Sequence, residues 1–256
     1  MRLFSKVMDV ITSTRNGTVK LFRALSDKKF RKSEGLFPVE GGNILKDIPS
    51  SADVRFVLAT PEREEEARAR FAGSGTQVFV VSDDVMKSVS DTVTPYGLAA
   101  AVGLPKKGLS APQGNALLLD GVSDPGNLGT LLRTAAATGF GDVYLLGCTD
   151  AYAPKAVRAS MGGIFRARVF EASEKEALSL VRATNSYALD MAGEDIFSVP
   201  LSTPCLLVAG SEAHGVRESL LSACAGVRAL PMTDGMESLN VAVAASVAMY
   251  AAIHFH

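Results

Sequence analysis

The chain has 256 residues, of which 47% are hydrophobic and 21% are charged, and its formal net charge is −1. This composition excludes a disordered chain, and the length suits one large domain or two ordinary ones. The longest apolar run, residues 241–253, is shorter than the roughly 20 residues that a membrane-spanning helix requires. We therefore expect a globular protein with no membrane partner and, because no leader precedes Ile11, a cytoplasmic one.

Positive charge is concentrated at the amino-terminal end. Residues 1–32 contain 9 Lys and Arg against 2 Asp and Glu, whereas residues 111–256 contain 9 against 14. This asymmetry indicates that the leading part of the chain meets a polyanion. A merely solvated basic face would have the same composition.

The first predicted elements form a small α/β domain over residues 1–104. Asn16-Gly17 is a turn or cap signal before an amphipathic helix at residues 19–25. The order then predicted is strand 54–59, helix 61–71, strand 77–81, helix 83–90 and strand 97–102. Residues 105–114, rich in Pro and Gly, are predicted as the linker.

Four basic residues cluster in a predicted loop between the first helix and the apolar segment 36–39. Basic side chains in such a loop can hold a phosphate backbone. We predict RNA binding by Lys28, Lys29, Arg31 and Lys32.

Residues 115–256 predict a second domain with a mostly parallel sheet and helices on both faces. A strand at 116–119, a loop at 120–128, a helix at 129–138 ended by Gly139 and a strand at 143–146 form a parallel crossover. Further candidate elements lie at 154–161, 165–170, 173–184 and 187–191, followed by a strand at 205–209 and one that ends at Pro231-Met232.

The last predicted helix begins near Ser238 and is apolar or small almost all round. We expect burial on every side, including sides that one chain leaves exposed. This helix is therefore predicted to lie at the centre of the domain and of a dimer interface.

Three motifs interrupt apolar runs at strand ends: DPGNLGTLLRTA from Asp124, GSEAHG from Gly210, and the segment from Pro231 through Gly235 to Asn240. No dinucleotide fingerprint, phosphate loop or G-x-S-x-G elbow is present, which argues against nucleotide-binding and serine-hydrolase classes. The three cysteines lack paired spacing and the three histidines are scattered, so we expect reduced thiols and no metal.

Together, in this order, DPGNLGTLLRTA, GSEAHGV and LPMTDGMESLNVAVAAS resemble the motifs of the SpoU/TrmH family of RNA ribose 2′-O-methyltransferases, within the SPOUT superfamily. The run NGTVKLFRALSDKKFRKSEGLFPVEG resembles the accessory RNA-substrate-binding domain of that family. The resemblance implies a deep C-terminal trefoil knot, S-adenosylmethionine as cofactor and a homodimer with its active site near the interface.

The resemblance also implies roles for individual residues. The catalytic positions are Asn127, Arg133, Glu212, Ser238 and Asn240. The cofactor-contacting positions are Gly210, Leu230, Met232 and Leu239. Plain core packing is the alternative for the two leucines, and a helix cap is the alternative for Ser238. His214, which follows Ala213 where the family often has glycine, is assigned no role.

Arg133 lies in a helix with apolar neighbours, so we expect it to point into a site with an anionic partner. Glu212 is one candidate, within the chain or across a dimer, or else a carboxylate that orients the site; a structural ion pair is the alternative. A guanidinium stays protonated in proteins. We therefore expect Arg133 to grip the phosphate beside the target hydroxyl, with Asn127 and Ser238 orienting that hydroxyl.

The predicted function is thus methyl transfer to a ribose of structured RNA without a metal. Ribosomal RNA is favoured because of the separate basic domain, and transfer RNA is the alternative substrate. An RNA-binding or assembly module that has kept the fold without the activity is the competing class.

Overall fold

The structure is a computed structural model and describes residues 10–106, 108–233, 236 and 238–254. By their contacts these residues fall into two units. One comprises residues 10–105 with Tyr152–Pro154, and the other comprises the remaining described residues. Each unit has its own sheet.

The first unit is built on a four-stranded mixed sheet with strand order β1-β4-β2-β3. β4 is antiparallel to both β1 and β2, whereas β2 and β3 are parallel. Its strands are β1 (Leu36–Glu40), β2 (Val54–Ala59), β3 (Gln77–Val80) and β4 (Leu98–Gly103). Its helices are α1 (Gly17–Ala24), α2 (Lys28–Glu34), α3 (Gly42–Lys46), α4 (Glu64–Arg70) and α5 (Asp83–Val89).

The basic segment after α1 is helical, so the prediction of a loop is wrong. The Asp27 carboxylate accepts a hydrogen bond from the backbone N–H of Phe30 at 2.9 Å and caps α2, which ends at Gly35 with φ of 65°. Arg31 is only 3% exposed and donates to the carbonyls of Leu25 and Ser26 at 2.7 and 2.8 Å. Arg31 therefore stabilises the end of α1, and its predicted role as a surface phosphate contact is wrong.

The second unit contains a six-stranded sheet of order β10-β8-β9-β5-β6-β7 in which every described pairing is parallel. Its strands are β5 (Ala116–Asp120), β6 (Asp142–Leu146), β7 (Arg168–Glu171), β8 (Ser186–Asp195), β9 (Leu206–Gly210) and β10 (Gly226–Ala229). Its helices are α6 (Pro125–Thr138), α7 (Pro154–Ala159), α8 (Glu174–Arg182), α9 (Glu218–Leu221) and α10 (Val241–His254). The predicted parallel sheet is confirmed.

Helices cover both faces of this sheet, as predicted. On one face, apolar residues of α8 and α9 form a core with alternate residues of β5, β6 and β9 such as Leu118, Tyr144 and Leu206. On the other face α6 and α10 pack together, and the Thr138 hydroxyl of α6 contacts the sulfur of Met249 in α10. Both faces of the central strands are therefore buried.

α6 begins four residues earlier than the sequence predicts. Asp124 caps it by accepting from the backbone N–H of Asn127 at 2.9 Å, and Pro125 occupies the first helical position, where no N–H is needed. Gly129 packs against the backbone of Ala156 in α7, where a larger side chain would clash. Asn127 consequently lies in the first turn of a helix and not in a loop.

α10 begins at Val241, and its cap is Asn240, whose side-chain oxygen accepts from the backbone N–H groups of residues 242 and 243 at 2.9 and 3.2 Å. The alternative that Ser238 is this cap is therefore wrong. Val243, Val247 and Tyr250 are 51%, 37% and 54% exposed and share one side of the helix. One chain alone thus leaves part of this apolar helix uncovered. Among the described residues, no helix is both long and apolar enough to cross a membrane.

Candidate active site

A pocket of about 220 Å³ opens at the carboxyl edge of the parallel sheet. β9 and β10 end there, the middle of β8 contributes to the wall, and the loops after β9 and β10 close around it together with the start of α10. The carboxyl edge is where open α/β sheets bind ligands, because the loops that leave parallel strands converge there.

All four residues predicted to contact the cofactor line this pocket, with two of the predicted catalytic residues. From these two groups the lining contains Gly210, Leu230, Met232, Leu239, Glu212 and Ser238. The second and third motifs are therefore adjacent in space, although 15 residues, 216–230, separate them in sequence. Gly235 of the third motif lies outside the described residues.

β8 supplies three lining residues that the sequence analysis missed, Leu189, Asp190 and Met191. Asp190 is half-buried, and one of its carboxylate oxygens accepts from the backbone N–H of Ala192 at 2.9 Å. The only available signal was position, since a predicted strand ended at residue 191 beside the other motifs. No motif marked them.

Gly210 is needed for packing within the chain. A Cβ at this position would overlap the backbone carbonyl of Gly215 and the nitrogen of Val216. Ser211 and Gly215 exchange backbone hydrogen bonds of 2.9 and 3.2 Å across the loop, and Gly215 has φ of 65°. The glycines therefore allow a tight loop that places Glu212 at the rim of the pocket.

A side-chain network joins all three motifs. The Asn127 amide nitrogen donates to the carboxylate of Glu212, and the Asn240 amide nitrogen donates to the Asn127 side-chain oxygen at 3.1 Å. Asn127 comes from the start of α6, Glu212 from the loop after β9 and Asn240 from the cap of α10. Three of the five predicted catalytic residues are thus in direct contact.

Arg133 is not part of this network within one chain. It is exposed on α6, and its guanidinium has no hydrogen-bond or ion-pair partner among the described residues. Six positions along an α-helix place two side chains about 120° apart and about 9 Å along the axis. Arg133 and Asn127 therefore face different ways, and within one chain Glu212 pairs with Asn127 instead of Arg133.

Comparison with known proteins places the chain in a family. Residues 114–250 match the model described as the SpoU rRNA Methylase family. The chain belongs to the SpoU rRNA methylase family. Residues 16–100 match a second model, the MRM3-like substrate binding domain. The predicted family and its accessory domain are confirmed.

Relatives of this SpoU methylase match along almost its whole length. The 23S rRNA (guanosine(2553)-2′-O)-methyltransferase RlmP of Bacillus subtilis is 32% identical over 95% of this chain and 98% of RlmP. An AdoMet-bound rRNA methyltransferase from Sinorhizobium meliloti has a TM-score of 0.86 at 28% identity, over 95% of this chain and 97% of that one. The SpoU methyltransferase AviRb from Streptomyces viridochromogenes, in complex with AdoMet, has a TM-score of 0.84 at 26% identity, over 93% and 97% of the two chains.

The thiols of this SpoU methylase are unsuited to nucleophilic chemistry. Burial raises the pKa of Cys148 to about 11 and that of Cys205 to about 12, so both stay protonated near neutral pH. Among the residues that the structure describes, no three metal-ligating side chains lie together. The polar side chains that line the pocket are two carboxylates, two hydroxyls and one guanidinium, from Asp190, Glu212, Ser211, Ser238 and Arg228.

Proposed function

We propose that this SpoU methylase transfers a methyl group from S-adenosylmethionine to the 2′-hydroxyl of a ribose in structured RNA, with ribosomal RNA as the favoured substrate. The observation that carries the proposal is the convergence of the three motifs on one pocket, with Asn127, Glu212 and Asn240 hydrogen-bonded beside it. RlmP and the AdoMet-bound relatives, similar over nearly the whole chain, support the same chemistry.

The pocket suits a nucleoside joined to an amino acid. Its walls include the apolar residues Leu189, Leu230 and Leu239, which can sandwich a flat base, and its polar groups include Asp190 and Glu212, which can accept from hydroxyl or ammonium groups. The backbone at residues 230–232 follows β10 and lies beyond its ladder. The backbone N–H and C=O groups of Leu230 and Met232 can pair with the edge of an adenine.

When bound, S-adenosylmethionine supplies an electrophilic methyl group on a sulfonium. The protein contributes the position of the acceptor oxygen, because in-line transfer depends chiefly on alignment. Asn127 is fixed on both sides by Glu212 and Asn240, and its amide oxygen keeps a second lone pair for the ribose hydroxyl. Ser238, at the pocket rim, can hold the same hydroxyl from another direction.

Arg133 completes the site from a second copy of the chain. Its neighbour Thr134 accepts a hydrogen bond of 3.0 Å from Ser246, which adjoins Val247, so the exposed sides of α6 and α10 border one another. A homodimer formed through Val243, Val247 and Tyr250 would cover apolar area and carry Arg133 toward the partner's pocket. There the guanidinium would bind the phosphate beside the target ribose and make the hydroxyl more acidic.

The amino-terminal domain is proposed to bind the RNA. Lys28, Lys29 and Lys32 are exposed on α2, with Lys20 and Arg23 exposed on α1. Exposed lysines and arginines on adjacent helices suit a phosphate backbone. The match to an MRM3-like substrate binding domain supports this assignment. We also propose the knot, from the family resemblance, and a cytoplasmic location.

The test is methyl transfer in vitro with purified protein and S-adenosylmethionine labelled in its methyl group. We expect label in ribosomal RNA at a linkage that resists alkaline cleavage, as a 2′-O-methylated ribose does. Label confined to transfer RNA would instead make this a transfer-RNA methyltransferase. RNA binding without any label would overturn the enzyme and favour an RNA-binding or assembly module.

A further inference from the structure

The loop at residues 211–216, here called the Glu212 loop, needs an external support. Four of its residues, 212–215, are exposed, and Val216 is its one buried apolar side chain. Yet Glu212 must stay where it holds Asn127. The support is found just beyond the loop, at Arg217.

Arg217 is tied to Asp120, the last residue of β5, by four hydrogen bonds. The backbone N–H of Arg217 donates to one Asp120 carboxylate oxygen at 2.9 Å, Nε donates to both oxygens at 2.9 and 3.0 Å, and Nη2 donates at 2.6 Å. Asp120 is 3% exposed. A bidentate pair between an arginine and a buried carboxylate fixes orientation as well as distance.

Asp120 also fixes the other end of the loop. It lies opposite Gly210 in the parallel pairing of β5 with β9, and a Cβ on the adjacent Gly121 would lie 3.5 Å from the Cβ of Ser211. The Glu212 loop therefore leaves and returns beside a single residue. Asp120 is in turn seven residues before Asn127, on the segment that leads into α6.

A second carboxylate holds the outer side of Arg217. Nη1 of Arg217 donates to Glu174 at 3.2 Å, and the hydroxyl of Ser219 donates to the other oxygen of Glu174 at 2.9 Å. Glu174 is the first residue of α8. The chain after the Glu212 loop is thus anchored to two different elements.

We propose that Asp120 and Arg217 are positioning residues for methyl transfer, whose ion pair holds the Glu212 loop in the shape that fixes Asn127 and closes the cofactor pocket. This inference rests on the function proposed above. Neither residue lines the pocket, so both act through the loop. A loop released at this point would misplace Glu212 and Asn127 together, and a displacement of about 1 Å can lower a rate about 100-fold.

The sheet contains a matched control. Asp142 and Arg168 form an ion pair of 2.5 Å at the first residues of β6 and β7, at the amino edge, and Asp142 is 2% exposed. This pair is also an aspartate buried at a strand end and held by an arginine. It lies at the opposite end of the strands from the pocket.

The experiment compares Arg217→Met with Arg168→Met, and Asp120→Asn with Asp142→Asn. We expect the Tm to fall in all four variants. Only the variants of the Asp120–Arg217 pair should lower kcat, by about 10- to 100-fold, weaken S-adenosylmethionine binding and speed amide hydrogen exchange at residues 211–216. Arg217→Lys, which keeps the charge with fewer donors, should restore part of kcat and serves if Arg217→Met does not fold.

Equal losses of kcat in both pairs at equal loss of Tm would overturn the inference, as would unchanged exchange of the Glu212 loop in Arg217→Met or Arg217→Lys. The function itself is tested by the wild type. If the wild type transfers no methyl group to any RNA, the proposed function fails, whereas cofactor affinity and loop exchange still decide whether the pair positions the loop.

Discussion

The two sides of α6 differ in how much of the site they complete. On one side, Asn127 is enclosed by residues from two other motifs and lies beside a formed pocket. On the other side, Arg133 is exposed and has no partner among the described residues. Under the proposed function, a single chain assembles the part of the site that would hold the cofactor and carries the cation for the acceptor on its surface. Activity would then depend on assembly of a dimer.

The largest expected effect is that of Arg133→Ala. Loss of a charge that stabilises the transition state lowers kcat by about 100- to 1,000-fold. Because Arg133 is exposed and away from the pocket, Tm and the affinity for S-adenosylmethionine should stay at their wild-type values. Arg182→Ala, at an exposed arginine of α8, is the control for charge alone. If the affinity for S-adenosylmethionine fell as far as kcat, Arg133 would also contribute to cofactor binding. The two sides of α6 would then not differ in function.

Gly210→Ala should affect the pocket, which adjoins the Asn127 side of α6. Its Cβ would overlap the carbonyl of Gly215, so the loop must shift, at a cost of about 1–3 kcal/mol. We expect S-adenosylmethionine binding to be lost, as measured by calorimetry, together with a lower Tm. Gly141→Ala, where a Cβ meets open space, is the control. Intact cofactor binding in Gly210→Ala would mean that the shape of the Glu212 loop does not determine cofactor binding.

Val247→Glu should separate the two copies. A charge at the centre of the exposed side of α10 would be buried in the dimer, whereas in one chain it faces solvent. Sedimentation should show monomers that still bind S-adenosylmethionine and transfer little methyl group. Val93→Glu, at a 99% exposed residue of the first unit, is the matched control. Full activity in a monomeric Val247→Glu protein would mean that Arg133 acts in the site of its own chain.

The smallest effect on methyl transfer should come from the basic helix α2, which lies in the first unit and contributes no residue to the pocket. Replacing Lys28, Lys29 and Lys32 by Gln should weaken RNA binding and lower its salt slope by about 0.7–0.9 for each phosphate that the protein no longer neutralises. Arg31→Gln should instead lower the Tm and leave the slope unchanged, because Arg31 is buried against α1. An unchanged slope in the triple variant would remove α2 from the RNA interface.

The pocket could be predicted from the sequence because many of its lining residues belong to local motifs. The Gly-rich loops at strand ends indicated a crevice, and the resemblance to the family motifs assigned Gly210, Leu230 and Leu239 to one pocket. The alternation of strands and helices likewise predicted the parallel sheet. These features depend on residues that are close in the chain, or on a family pattern that covers them.

The features that could not be predicted from the sequence depend on contacts between residues that are far apart in the chain. The burial of Arg133 could not be judged because the helix beside it, α10, lies more than 100 residues later and leaves that side open. Asp120 and Arg217 escaped notice because 97 residues separate them. In the sequence nothing distinguishes Arg31 from its lysine neighbours. The structure shows that α2 is helical and that Arg31 lies on its buried side.

Mixed dimers test the division of the site most directly. Chains with Asn127→Ala and chains with Arg133→Ala, each inactive alone, are co-expressed with different tags, and transfer is measured on the mixture. If Arg133 serves the partner's pocket, half of the dimers are mixed and each has one complete site, so activity returns to about one quarter of the wild-type value. If both residues must come from the same chain, mixed dimers isolated through both tags will show no transfer, and that result would contradict the account.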